Sequence, residues 1–187
     1  MSEADIPILA ESPQVLSARR KWQFTGTRRP DFAEPTSTGE ESVWDFPRPP
    51  AIEPVAQPMR VFKSTQLIAE TRNGVRVVET AGAPTYYFPP DDIVGSELTF
   101  GALSSICEWK GVAQEIDVAG IHNAGWRYVR MFEAFAELFE WVSFYPTKLR
   151  CFLGDEAVRA QPGGYYGGWV TNNLRGPIKG SPGSQGW

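Results

Sequence analysis

The chain has 187 residues, with 18 Lys and Arg against 22 Asp and Glu, a formal charge of −4 with its single histidine neutral. That length predicts one domain with room for an added arm. A mildly acidic balance argues against sequence-independent nucleic-acid binding, which rests on a basic surface.

Hydrophobic residues at 42% and aromatics at 13% supply a core and exclude wholesale disorder. No apolar run approaches the ~20 residues of a membrane helix. The start, MSEADIPILAESP, has acids and prolines where a secretory leader needs a basic end and an apolar run. The expected setting is cytoplasmic, with no membrane or nucleic-acid partner.

Residues 1–58 hold nine of the sixteen prolines, and no helical or strand period survives there. They also carry Trp22, Phe24, Phe32, Trp44 and Phe46, more aromatics than a solvated linker keeps. The expectation is an irregular arm, 1–58, packed on a β body at 59–187. The rival is a polyproline II ligand for a protein partner, built on Pro47-Arg48-Pro49-Pro50.

From residue 59 the pattern is of strands. Arg60–Lys63 and Leu67–Glu70 flank Ser64-Thr65-Gln66 as a hairpin, and Asn73-Gly74 is a turn before Val75–Thr80. Tyr86–Phe88 is stopped by Pro89-Pro90, and Gly111–Val118 ends at Gly120. Asp91-Asp92, just after the prolines, fits a turn or cap better than a catalytic carboxylate pair. Phe132, Phe135, Ala136, Phe139 and Val142 recur at helical spacing, with Glu133, Glu137 and Glu140 opposite. They predict one amphipathic helix over about 130–142. Leu149–Leu153 and Glu156–Val158 read as strands about a Gly154-Asp155 turn. The Gly-rich tail 163–187 still carries Tyr165, Tyr166, Trp169 and Trp187, which suits a packed segment. The fold class is therefore mainly β, antiparallel, with a long irregular N-terminal arm.

Chemistry is sparse. Cys107, Cys151 and His122 form no CxxC pair and no zinc spacing, so neither a metal nor a cofactor is expected. The glycine runs match neither a P-loop nor a dinucleotide fingerprint, which leaves Lys110 or Lys179 with loop amides as the only phosphate contacts. His122 belongs at an exposed hairpin tip, and serine-hydrolase logic fails without a GxSxG.

The densest cluster is Cys107-Glu108-Trp109-Lys110-Gly111. On a strand, Glu108 and Lys110 would share one face, with Cys107 and Trp109 on the other. Lys110 and Glu108 are the candidate catalytic or anion-holding pair, against a plain surface ion pair. Tyr86, Tyr87, Trp109, Trp126 and Trp169 are enough rings for an aromatic-walled pocket. The residues expected to bind a ligand are Tyr86, Tyr87, Trp109, Lys110 and Trp169.

The spaced segments Glu41–Pro50, Glu79-Thr80 with Pro84–Tyr87, Cys107–Gly111, Phe144-Tyr145-Pro146 and Gly167–Thr171 resemble the DUF427 family over residues 41–187. Phe46 stands where the family has tyrosine, and Ala81-Gly82 where it often has Ser-His. That departure weakens any histidine mechanism. The resemblance implies a β-tent, or Mss4-like, pair of antiparallel sheets meeting at an angle. It implies no catalytic residues, and the nucleotidyltransferase label attached to the family finds no paired acidic metal site here. Three functions follow as expectations. The first is a small-molecule-binding β domain. The alternatives are an enzyme acting on a nucleotide or other phosphorylated substrate, and an interaction module using the Pro-rich arm.

Overall fold

A computed structural model describes residues 6–94 and 97–187. In chain order, the arm opens with helix α1 (Pro13–Arg19) and strands β1 (Glu41–Ser42) and β2 (Ala51–Pro54). There follow β3 (Met59–Lys63), β4 (Gln66–Thr71), β5 (Val75–Val78), β6 (Thr85–Tyr87), β7 (Leu98–Cys107), β8 (Gly111–Val118), β9 (Ile121–Met131) and β10 (Val142–Phe144). The chain closes with β11 (Arg150–Leu153), β12 (Glu156–Ala157), β13 (Arg159–Ala160), β14 (Trp169–Val170) and β15 (Leu174–Arg175).

The strands form two four-stranded sheets, β10-β9-β8-β7 and β12-β11-β3-β4, and a three-stranded sheet, β2-β5-β6. All three are antiparallel throughout. The fold is mainly β, and among the described residues no helix is long and apolar enough to cross a membrane. The expected hairpin forms with Lys63 opposite Gln66 and Ser64 in the left-handed region at φ 55°. Asn73-Gly74 does not close a hairpin. It carries the chain out of the β3-β4 sheet, because β5 pairs with β2 and β6 instead.

The helix expected over about 130–142 is absent. Residues to Met131 belong to β9, which pairs with β8 along most of its length. Glu133–Leu138 form a short 3-10 segment whose i→i−3 bonds include Phe135 N to Phe132 O at 3.0 Å. Phe132, Phe135 and Leu138 repeat every three residues, so a 3-10 turn buries them on one side as an α-helix would. Glu140, at φ 63°, then turns the chain into β10. Helix α1 went unread because none of its residues is buried, so it leaves no apolar stripe. Its start is marked by Ser12, whose Oγ accepts from Val15 N at 3.3 Å, followed by Pro13.

One core lies between the two four-stranded sheets and includes Met59, Ile68, Tyr86, Phe88, Ile116, Phe144, Cys151 and Trp169. A second includes Tyr87, Trp109, Trp126, Tyr128, Met131, Phe135 and Leu138. A third, around Val43, Trp44, Phe46, Val78 and Leu174, joins the N-terminal segment to the tail, where β1 and β15 pair in parallel. Strand β2 lies inside the segment read as arm, yet its full length pairs with β5. Trp44 is fully buried, with Phe24, Phe32 and Trp187 edge-on at ring centroid distances of 5.2, 5.1 and 5.1 Å.

Trp44→Ala is therefore expected to cost about 3–5 kcal/mol by chemical denaturation. A loss below about 1 kcal/mol would show that the N-terminal segment adds little to the fold.

Candidate functional site

Beside the second core lies a cavity of about 590 Å³. Its floor comes from three elements. Strand β6 alternates, so its two tyrosines part company: Tyr86 stacks on Trp169 in the first core at 4.8 Å, and Tyr87 faces the cavity. Strand β9 presents Trp126 and Tyr128, and the β7–β8 turn presents Cys107, Glu108 and Lys110.

That turn overrides the alternation expected of a strand. Cys107 pairs with Gly111, and residues 108–110 form the loop between them. Gly111 is required there: its φ is +132°, and a Cβ would stand 2.1 Å from Arg130 O. Cys107, Glu108 and Lys110 thus reach the cavity together, and Trp109 turns away into the second core. Arg19 of α1 clamps this turn from outside. Its Nε donates to Glu108 O at 2.7 Å, and its guanidinium lies 5.0 Å from the Trp109 ring.

The outer wall comes from both ends of the chain. Trp22 donates from Nε1 to Glu108 Oε1 at 2.7 Å. Two cations lie over its indole, Arg48 at 4.7 Å and Lys179 at 3.4 Å. Arg48 is buried and donates to Glu79 Oε1 at 3.0 Å, Phe24 O at 2.8 Å and Thr80 O at 2.8 Å. The tail crosses with Tyr166 and Gly167. Gly167 lies flat on Trp126, where a Cβ would stand 2.1 Å from the indole, and Trp126 in turn meets Tyr145 at 4.5 Å.

Of the five residues expected to bind a ligand, Tyr87 and Lys110 line the cavity, and so does Glu108. Tyr86, Trp109 and Trp169 do not. Trp169 is fully buried and donates from Nε1 to Phe144 O at 3.1 Å. Ring counting could not separate these, because an aromatic serves core and pocket equally well. Sequence alone does not mark Arg48, Trp22 or Tyr166 as site residues, and it marks Lys179 only as a phosphate contact. The signal available for Arg48 was an arginine in a proline-rich run that also carried core aromatics. His122 is exposed, with Nδ1 2.9 Å from Asp117 Oδ1, and does not line the cavity. Cys107 is half-buried rather than buried, and Cys151 lies in the first core, where burial pushes its thiol pKa up. Among the described residues no cluster of three or more His, Cys, Asp or Glu side chains could hold a metal.

The charges are unevenly matched. Glu79 is engaged by Arg48 and Glu108 by Trp22. Lys110 is only 8% exposed, yet among the described residues its ammonium makes no hydrogen bond or ion pair. Burial works against its charge, but Cys107, Tyr87, Glu79 and Glu108 around it outweigh that and hold its pKa above the ordinary lysine value. The Tyr87 hydroxyl is also buried without a partner, and burial raises its pKa against the pull of Lys110. Lys179 goes the other way: burial, with Arg48 adding to it, brings its pKa down to about 8 despite Glu79 and Glu108.

The family model described as domain of unknown function (DUF427) matches residues 51–154. The comparison with curated proteins gave no match. The matched segment contains the floor residues Tyr87, Cys107, Glu108, Lys110, Trp126 and Tyr128, whereas Trp22, Arg48, Tyr166 and Lys179 lie outside it.

Two outcomes are expected. Below about pH 8 Lys179 is protonated in both the folded and unfolded chains. Between about 8 and 10.5 the folded chain has released a proton that the unfolded chain still holds, so this group makes stability rise with pH. Denaturation from pH 7 upward should show the native chain gaining on Lys179→Met across that window; parallel curves would contradict the depressed value. Gly167→Ala should force the tail off Trp126 at a cost of about 1–3 kcal/mol, read by the same method.

Proposed function

The chain belongs to the DUF427 family, and from that premise we propose that it binds a small molecule joining a planar body to an anionic group. Lys110 is the counter-ion at the cavity floor. Tyr87 offers a hydroxyl beside it, and Trp126, Tyr145 and Tyr166 wall the planar part. The observation that carries this reading is Lys110: a residue only 8% exposed that meets the cavity, with a charged ammonium of three N–H donors and no hydrogen bond or ion pair among the described residues. A ligand carboxylate or phosphate would supply charge-assisted acceptors for it. Two of the acids around it already accept from other donors, Glu79 from Arg48 and Glu108 from Trp22. The volume is that of a site for a drug-sized molecule.

The direction of the Lys110 shift bears on its role. A lysine held above its ordinary pKa keeps its proton at neutral pH, which suits an anion anchor and not a free-amine nucleophile. An enzyme reading, with Lys110 stabilising a phosphorylated substrate, uses the same anchor and would add turnover to binding. The Pro-rich run is poorly placed as a peptide ligand, because Arg48 and Pro50 are buried.

The test is native mass spectrometry of the purified protein, followed by titration with a mononucleotide and with an aromatic carboxylate. The expected result is a bound anion-bearing species whose affinity falls about 10–100-fold in Lys110→Met, the loss of one charge-assisted hydrogen bond. The variant should unfold within about 1 kcal/mol of the native chain, since burial cost and acid attraction are removed together. Unaltered binding in Lys110→Met would sink the proposal.

A further inference from the structure

Binding through Lys110 gives no work to Cys107. It is a free thiol, half-buried, and it lines the cavity. The other cysteine, Cys151, is 2% exposed in the first core and does not line the cavity. Only Cys107 therefore offers its sulfur to a molecule lying in this space.

The tight turn decides what stands beside that sulfur. Cys107 and Gly111 are partners in the β7–β8 register, and Lys110 directly precedes Gly111. Burial works against the Lys110 charge, and among the groups that uphold it Cys107 comes first. An ammonium stabilises a neighbouring thiolate, and the thiolate is the nucleophilic form of cysteine. Lys110 keeps its own proton at neutral pH, so it does not compete with the sulfur as a nucleophile.

Lys110 supplies the other half of the site. It is 8% exposed, meets the cavity and has no hydrogen bond or ion pair among the described residues. A ligand anion would take charge-assisted hydrogen bonds from it. An anion held there keeps the rest of a short ligand at the same turn as Cys107. Such positioning turns a bimolecular attack into an effectively intramolecular one.

We propose that Cys107 captures carbon electrophiles that carry a carboxylate, with Lys110 holding the carboxylate while the sulfur forms the bond. With a conjugated unsaturated acid, the thiolate adds to the β-carbon and one C–S bond forms. The electron pair of the double bond moves to the α-carbon, which takes a proton from water to replace the one the thiol released. With an α-halo acid, the C–S bond forms as the carbon–halogen bond breaks, and its electron pair leaves on the halide. The inference rests on Lys110 as the anion anchor and narrows the ligand of that site to an electrophilic acid.

The probes are iodoacetate and iodoacetamide, which share a leaving group and differ in charge. Each is reacted with the full native chain at neutral pH, and the adduct at Cys107 is followed by peptide mass spectrometry. The ratio of the iodoacetate rate to the iodoacetamide rate is divided by the same ratio for 2-mercaptoethanol. That division removes the intrinsic difference between the reagents. The expected value is about ten-fold above unity, the worth of one charge-assisted hydrogen bond, with Cys151 unlabelled. This measurement needs no variant. In Lys110→Met, checked for folding by circular dichroism, the value should fall to about unity. A native value of unity, or an unlabelled Cys107, overturns the proposal. So does a raised value that Lys110→Met retains, which would assign the preference to other cations. If ligand affinity still falls in Lys110→Met while the native value is unity, the anchor stands and the capture alone fails. If the variant alters neither, both fail.

Discussion

A guanidinium taken out of water has to find acceptors for its donors, and Arg48 finds them in three separate stretches of the chain. Its Nε bonds the Glu79 carboxylate just after β5, and its remaining nitrogens bond the carbonyls of Phe24, Thr80 and Trp187. The Trp22 ring covers its face at 4.7 Å. Removing one partner from such a group leaves an uncompensated buried charge, at a cost of several kcal/mol. The N-terminal segment, the β5–β6 loop and the end of the tail are therefore held to a common point. The aromatic cluster of Phe24, Phe32, Trp44 and Trp187 packs beside it.

The cavity exists because this node draws the two ends of the chain over the β sheet. The floor is rigid: β8 and β9 pair along most of their length, and the Cys107–Gly111 turn is clamped from outside by Arg19. The wall is lighter, with Trp22 between two cations and Gly167 flat against Trp126. Among the cations that line this space, three differ in how they are satisfied. Arg48 has acceptors on all sides. Lys179 rests on the Trp22 ring and donates to Trp187 O at 3.1 Å. Lys110 has neither. Beside it the Tyr87 hydroxyl is also buried without a partner, so the unmatched polar groups of the site gather at one place on the floor.

Position along the chain divides the labour further. The matched family segment, 51–154, builds the floor and all of the three larger sheets except the edge strand β12, and flanking residues close the space above it. The β7–β8 turn belongs to two surfaces at once. At its end it delivers Cys107, Glu108 and Lys110 to the cavity, and behind it β7 carries an uncharged, exposed edge away from the core.

Much of the fold was legible in local pattern. The β3–β4 hairpin, strand β8 over Gly111–Val118 and the turn at Gly154-Asp155 follow from alternation and turn residues, which act between near neighbours. The family was legible from motifs with fixed spacing. The amphipathic stripe near 135 was real, but a period of three and a period of 3.6 bury the same phenylalanines over so short a span. Only the pairing of β9 with β8 decided that the chain stays extended to Met131. Strands β7 and β9 were not read at all, β7 because an exposed strand has no buried face to alternate against. In the site, sequence alone picked out Lys110, Glu108 and the supply of aromatic rings. It could not sort those rings. Tyr86 and Tyr87 are adjacent and identical, and which one meets the cavity depends on the face β6 turns to each core. Nor could it bring Trp22, Arg48 and Lys179 together, since up to 157 positions separate them in sequence. Composition and spacing report what each residue prefers locally, whereas the surroundings of Lys110 are a property of where Arg48 and Trp22 found their own partners in Glu79 and Glu108.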